Sequence, residues 1–351
     1  MTRMMEKLSP QTLRILALLA VLLVILLFFS LVIPNYLNGR LFNRISSSVA
    51  IMALIATAQT LVIITRNIDL SIGSILGFVA FATGSLVTNN PDLGPVPLVL
   101  YSITIGACFG AINGVLVAFV RVPSIIVTLG TMALFRSVLV EYSDAKSITT
   151  SNLPQWLVEF PNTVLFSIGQ MQFRAAFVAA VIVVLIVHLA LTRLNAARKL
   201  YAIGSNPEAA EMAGINIHKT VFVAFVLSGA LAGLGGFMFL ARFGTITVVA
   251  GLGFELKSVA ASVVGGVNIF GGSGTVIGAL IGAILVDVIE TSLVRWQLVS
   301  EFWREAVLGA LILLSVAADA VLMRRFISLR RKRPKSDPIP EKTSVLDGEA
   351  R

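Results

Sequence analysis

The chain has 351 residues, of which 57% are hydrophobic and only 13% charged, with a net charge of +9 and a mean hydropathy of +0.93. A water-soluble domain carries about a quarter of its residues as charges, so this composition excludes one. The lone Cys108 can form no internal disulfide, and with only His188 and His218 elsewhere it cannot complete a zinc site.

Roughly 20 apolar residues span a bilayer as a helix. Runs of that kind lie at about 13–33, 46–65, 70–88, 96–120, 124–140, 175–192, 221–241, 247–267, 275–293 and 305–323. The expected fold class is therefore an all-α integral membrane protein of about ten transmembrane helices. The alternating ten-residue segments of a β-barrel do not occur. The first run follows Arg3, Lys7 and Arg14, as a signal peptide would, but its apolar core is too long. No small-x-small cleavage site precedes Pro34-Asn35 either, so it is expected to stay as an uncleaved helix.

The positive-inside rule sets the orientation. An N-terminus in the cytoplasm puts Arg66, Arg121, Arg193, Arg198, Lys199 and Lys219 inside, together with the tail carrying Arg324, Arg325 and Arg330 to Arg333. Arg40 and Arg44 fall outside and count against it, yet the balance favours both termini in the cytoplasm. The expected domains are a cytoplasmic N-terminus (1–12), a membrane domain (13–323) with a large loop at 193–219, and a tail (324–351). The tail turns polar after Pro334 and reads as disordered. Most of the positive excess is what this topology requires, so nucleic acid is not an expected partner, whereas membrane lipid is.

Ile105-Gly-Ala-Cys-Phe-Gly-Ala-Ile112 matches Ile277-Gly-Ala-Leu-Ile-Gly-Ala-Ile284 at all but two positions. Both lie on glycine zippers, Gly106, Gly110 and Gly114 in one span and Gly274, Gly278 and Gly282 in the other, and small residues four apart let helix backbones approach closely. The fourth span runs inward and the ninth outward, which makes this an inverted repeat of the kind that alternates access in transporters.

Intramembrane polar groups need a reason, since a charge at the bilayer centre costs about 2.5–3.5 kcal/mol on insertion scales. Asn67, Asp69 and Ser71 lie where two apolar runs meet, with Asp69 placed to cap a helix starting at Leu70. They read either as a tight cytoplasmic turn or as a bend in the wall of a permeation path. Asn113, Thr128, Thr131 and Arg136 are further path candidates. Asp287 and Glu290 share one face of the ninth span, where with Arg295 they are expected to form an interfacial salt network rather than line a path.

One polar island stands between two long apolar runs, Lys199 to Asn216. Asn206 and Pro207 read as a helix start, Glu208 and Glu211 suit the first turns, and Gly214 reads as its stop. A connector between spans needs no such element, whereas a surface that docks a partner does.

Tyr201, Gly204, Asn206, Ala209, Ala210, Gly214 and Ile215 resemble the cytoplasmic coupling loop of bacterial sugar importers of the ATP-binding-cassette (ABC) class, in the ribose-type permease family. Asn67-Ile-Asp-Leu-Ser-Ile-Gly-Ser74 and Val122-Pro-Ser-Ile-Ile-Val-Thr-Leu-Gly-Thr-Met132 resemble two further blocks of that family, in the same order, and the likeness runs from roughly residue 45 to 322. The resemblance implies an ABC-importer permease architecture in the bacterial inner membrane. Partners would be separate ATPase subunits pressing on Pro207–Ala213, a second permease chain (identical or different) and a periplasmic substrate-binding protein. Thr65-Arg-Asn-Ile-Asp-Leu70 and Phe302-Trp-Arg-Glu305 look more like the rhamnose and autoinducer-2 branch than ribose-type members. Asp144 stands where many relatives carry glycine, in the outer segment Glu141–Arg174.

The chain has no G-x-x-x-x-G-K-[ST] loop, because Leu256 occupies the second glycine position of Gly251-Leu-Gly-Phe-Glu-Leu-Lys-Ser258. No cofactor is expected in this chain, and ATP and Mg would belong to the partner ATPase. It is not expected to be an enzyme, since no nucleophile is paired with a base. An ion-coupled secondary transporter of small polar solutes is the alternative, though the acids cluster near span ends rather than at midplane.

Overall fold

The computed structural model describes residues 10–296 and, after them, 303, 305–307, 309–314 and 317. The first nine residues, most of the expected tenth span and the basic tail lie outside the described residues. The helices are α1 (Pro10–Val32), α2 (Gly39–Ile64), α3 (Ile72–Asn89), α4 (Pro95–Ala118), α5 (Ser124–Ser143), α6 (Gln155–Glu159), α7 (Ala175–Arg193), α8 (Asn195–Ser205), α9 (Pro207–Met212), α10 (Ile217–Phe243), α11 (Phe254–Val264) and α12 (Val276–Trp296). Eight of them, all but α6, α8, α9 and α11, are long and apolar enough to cross a membrane. The protein is a multi-pass membrane protein. A hairpin of β1 (Val164–Ile168) and β2 (Met171–Arg174), which the apolar runs did not foretell, follows α6.

Loop contacts define two ends of the bundle. At one, Arg66 reaches the carbonyls of Gly204 and Ser205, Gly272 N–H donates to Ile64 O, and the His218 ring contacts Ala118 O. At the other, Arg295 reaches the carbonyls of Pro34 and Asn35, Asn43 bonds to Gln170 and Gln172, and Ile148 pairs with Ile246. Helix α4 therefore runs toward the α8–α9 end and α12 runs away from it. Equivalent contacts accompany this reversal, with α4 and α3 packing on α10 and α12 and α11 packing on α2. The two halves thus run in opposite directions, and α2 and α10 are each packed by helices of the other half.

The glycine motif shared by the two halves meets different partners. A methyl on Gly106 would lie 2.2 Å from Gly229 O, and one on Gly233 2.2 Å from Ser102 O, so α4 and α10 touch backbone to backbone. In the other half, Gly278 and Gly282 press on Ala261 of α11 and on Gly265, which follows it. Gly274 lies before α12 rather than within it, at a φ of +140° that favours glycine. Without a hydrophobic drive between helices in lipid, such close approach is what dispersion needs.

Two segments depart from the expected spans. The run at 247–267 is not one helix, because residues 244–253 turn through Gly244, Gly251 and Gly253 at positive φ, and only the 11-residue α11 follows. Eleven residues rise about 16 Å, roughly half a hydrocarbon core. Its counterpart is the break between α2 and α3. Helix α3 starts at Ile72, not Leu70, because Asp69 accepts from Ser71 N–H and Oγ–H and so closes a turn ahead of the helix instead of capping it.

Gly229→Leu is expected to lower folded yield and destabilise the chain by about 1–3 kcal/mol through overpacking against α4. Gly94→Ala, where a methyl meets nothing within 4 Å, should be neutral. Thermal unfolding in detergent measures both.

Candidate functional site

The polar island folds as two short helices. Helix α9 starts as expected: Pro207 occupies its first position and Asn206 Oδ1 accepts from Ala209 N–H at 3.1 Å. Gly214, at φ +77°, ends it, and Ile215 N–H returns to Ala210 O at 3.0 Å. Glu208 lies in the first turn, but Glu211 sits near the other end of this six-residue helix and gains nothing from its N-terminal dipole. Glu208, Ala209, Glu211 and Met212 are exposed, while Ala210 is buried against the scaffold. Met212, absent from the sequence-level site, is 90% exposed and forms an unpartnered apolar knob on this face.

Helix α8, also unforeseen, roots α9 in the bundle. Leu200, Ile203 and Gly204 are buried at the three- and four-residue spacing of one helical face. Gly204 lies so close to α2 that a methyl there would fall 1.8 Å from Ile64 O and 2.3 Å from Gly272 N. Arg66 Nε and Nη2 donate to Gly204 O and Ser205 O at 2.6 and 2.7 Å, satisfying carbonyls at the α8 C-terminus. Tyr201 donates to Gly274 O at 3.1 Å, and burial pushes its phenol up from the ordinary value, so it remains a protonated donor at neutral pH. The exposed helix is thereby fastened to the end of α2 and to the segment that enters α12.

Most of the residues proposed for a path lie in one buried cluster, while Asn67 is half-buried. Asn113 Nδ2 donates to Ser71 Oγ at 2.7 Å, Ser71 bonds to Asp69, and Thr128 Oγ1 donates to Ile68 O and Ser124 O. Thr131 follows one turn along α5, and Asn67 bonds back to Thr65. Gln59, with its amide turned so that donors meet acceptors, exchanges two hydrogen bonds with the Asp69 backbone. Asp69, Ser71, Asn113 and Thr128 are fully buried, and the cluster reaches Asn113, five residues or about 7 Å inside the end of α4. Asp69 Oδ2 and Asn113 Oδ1 are buried without a partner. Just beyond, Gly73 and Gly77 of α3 abut Gly251, Glu255 and Ala250, so the starts of α3 and α11 meet within the bundle. Arg136 braces that junction by donating to Val248 O and Ala250 O.

The acids of α12 are arranged differently from expectation. Glu290 pairs with Lys257 of α11 at 2.8 Å, and Asp287 is buried near Arg242, whereas Arg295 turns away to the carbonyls of Pro34, Asn35 and Tyr36. Lys257 and Arg242 come from other helices, so spacing along α12 could not reveal them.

A family model described as "Branched-chain amino acid transport system / permease component" matches residues 41–316, which hold both halves of the repeat and the α8–α9 loop. The chain belongs to this permease family. The permease is 36% identical over 307 residues to the autoinducer 2 import system permease protein LsrC of Enterobacter sp. (strain 638), covering 87% of each chain. It is also 36% identical over 297 residues to the protein of that name from Yersinia enterocolitica, covering 83% of this chain and 79% of the relative. These relatives are transport permeases rather than enzymes. No solved structure matches the chain.

Gly204→Val should lift α8 off α2 and expose the Arg198 and Lys199 bonds. Limited trypsin digestion of the purified permease is expected to cut there about tenfold faster than in the parent, as local opening becomes easier. Unchanged cleavage would mean that α8 does not depend on this contact.

Proposed function

We propose that this permease is the transmembrane subunit of an ATP-binding-cassette importer in a bacterial inner membrane. It carries a small sugar or sugar-like solute, of the rhamnose or autoinducer-2 type, into the cytoplasm by alternating access. The observation that carries this reading is the exposed, self-capped α9 with its projecting Met212, held by α8 against α2 and the entry to α12. Separate ATPase subunits would dock on that face, supply ATP and Mg, and press on it when they close. The names of the relatives support the solute class.

In this reading the α8–α9 end faces the cytoplasm, both termini lie on that side, and a periplasmic binding protein delivers solute to the opposite end. A second permease chain, identical or different, completes the path. The force applied at α9 passes through the Gly204–Ile64 and Tyr201–Gly274 contacts to α2 and α12, the central and flanking helices of opposite halves. The junction where α3 and α11 begin then opens toward one side, and the buried Asp69–Ser71–Asn113 cluster lies beside it. Broken helices that start inside the bundle are where transporters place their solute paths.

The test uses Ala209→Arg with Met212→Glu, two exposed positions on α9; Ala210 is avoided because its burial would confound folding with docking. The double variant is expected to fold normally, lose co-purification of the co-expressed ATPase, and reduce transport-coupled ATP hydrolysis at least about tenfold. Uptake driven by an ion gradient in vesicles without any ATPase would instead establish a secondary transporter.

A further inference from the structure

Four arginines converge on one cavity at the end of the bundle opposite α9. Arg40 and Arg44 stand in the first turns of α2, Arg174 ends β2, and Arg242 lies in the last turn of α10, around a space of about 440 Å³. Among the described residues no acid lines it. Two acids, Asp287 and Glu290, line a neighbouring cavity of about 170 Å³ that shares Arg242 and Ile51, and Glu290 is already paired with Lys257.

The other described cations at this end are accounted for. Arg295 serves backbone carbonyls, Lys146 pairs with Asp144, and Arg136 bonds to Val248 O and Ala250 O. Arg40, Arg44 and Arg242 make no hydrogen bond or salt bridge to another described residue. Arg174 spends Nη1 on Ser47 and Asn162 and Nη2 on Gln172, which leaves its buried Nε–H without an acceptor. A buried donor left unmade is costly, and like charges gathered around a partly enclosed space repel one another. An anion relieves both penalties. Guanidinium groups present planar forks that match carboxylate and phosphate oxygens two at a time. The volume falls within the range of about 300–1,000 Å³ typical of small-molecule sites. Beneath the arginines, Ile51, Phe177 and Met238 form an apolar floor against which a carbon skeleton can rest.

We propose that this cavity is a binding site for an oxyanion, the phosphate or carboxylate of a sugar-sized solute or of a lipid headgroup. It goes beyond the transport reading and does not depend on what docks on α9.

The full chain would be purified into phosphatidylcholine nanodiscs and titrated calorimetrically with ribose 5-phosphate and with ribose. In parallel, native mass spectrometry would compare retention of phosphatidylglycerol with that of phosphatidylcholine. Variants are Arg174→Gln, Arg242→Gln and Arg44→Gln, the last an exposed residue without a hydrogen bond to lose, with Lys146→Gln as control. Saturable binding of ribose 5-phosphate, absent with ribose and at least tenfold weaker in the arginine variants but not in the control, supports the site and identifies a soluble anion. Selective retention of phosphatidylglycerol that the same variants abolish supports the site with a lipid as its source. Neither form of binding, or binding that folded Arg44→Gln and Arg242→Gln leave unchanged, overturns the proposal.

Discussion

A backbone that stops being helical inside a bilayer must find its hydrogen bonds within the protein, because lipid offers none. This chain leaves the helix between α2 and α3, beside the α8–α9 end, and again before α11, where residues 244–253 turn back against α3, and the surrounding structure follows from how those breaks are satisfied. Gln59, Asp69, Ser124 and Thr128 supply side-chain partners to the backbone of residues 68–71, while Arg136 donates to the carbonyls at 248 and 250. Ser262 and Thr60 bond between α11 and α2, where they also share the Ala56 carbonyl. The polar residues that look expensive in an apolar chain are therefore the means by which short helices can begin inside the bundle.

Close backbone packing makes the same breaks rigid from outside. The α4–α10 seam at Gly106, Gly229 and Gly233 and the α11–α12 seam at Gly265, Gly278 and Gly282 leave no room for a methyl group. Interfaces of that kind slide or separate as units rather than deform gradually, which suits a device that switches between two states. The root of α9 is tied to the same system at Ile64, Gly272 and Gly274, close to where one half ends and the other turns back. A small exposed helix can thus act on both halves without being part of either.

Charge is distributed to match. Cations at the α8–α9 end, such as Arg66 and Arg121, bond to carbonyls or to His218 and serve the architecture there. At the opposite end no acid among the described residues lines the large cavity and only Arg242, of its four arginines, has a carboxylate (Asp287) beside it, so the bundle presents an electropositive mouth there. Fields in a recess with low-dielectric walls concentrate ions of opposite sign.

Much of this was legible in the chain itself. Apolar runs of the right length gave the spans, and Asn206, Pro207 and Gly214 gave α9, because capping is local chemistry carried by adjacent residues. The Ile105–Ile112 and Ile277–Ile284 match likewise marked two helices, α4 and α12, that run in opposite directions. The break before α11 escaped because hydropathy averages over turns and helix alike, and the start of α3 was misplaced because Asp69 can close a turn as readily as it can cap. The contact of Arg66 with Gly204, the pairing of Glu290 with Lys257 and the gathering of Arg40, Arg44, Arg174 and Arg242 join positions far apart in sequence. Local propensity is written in neighbours along the chain, whereas these meetings depend on how the helices pack, and only the tertiary structure decides that.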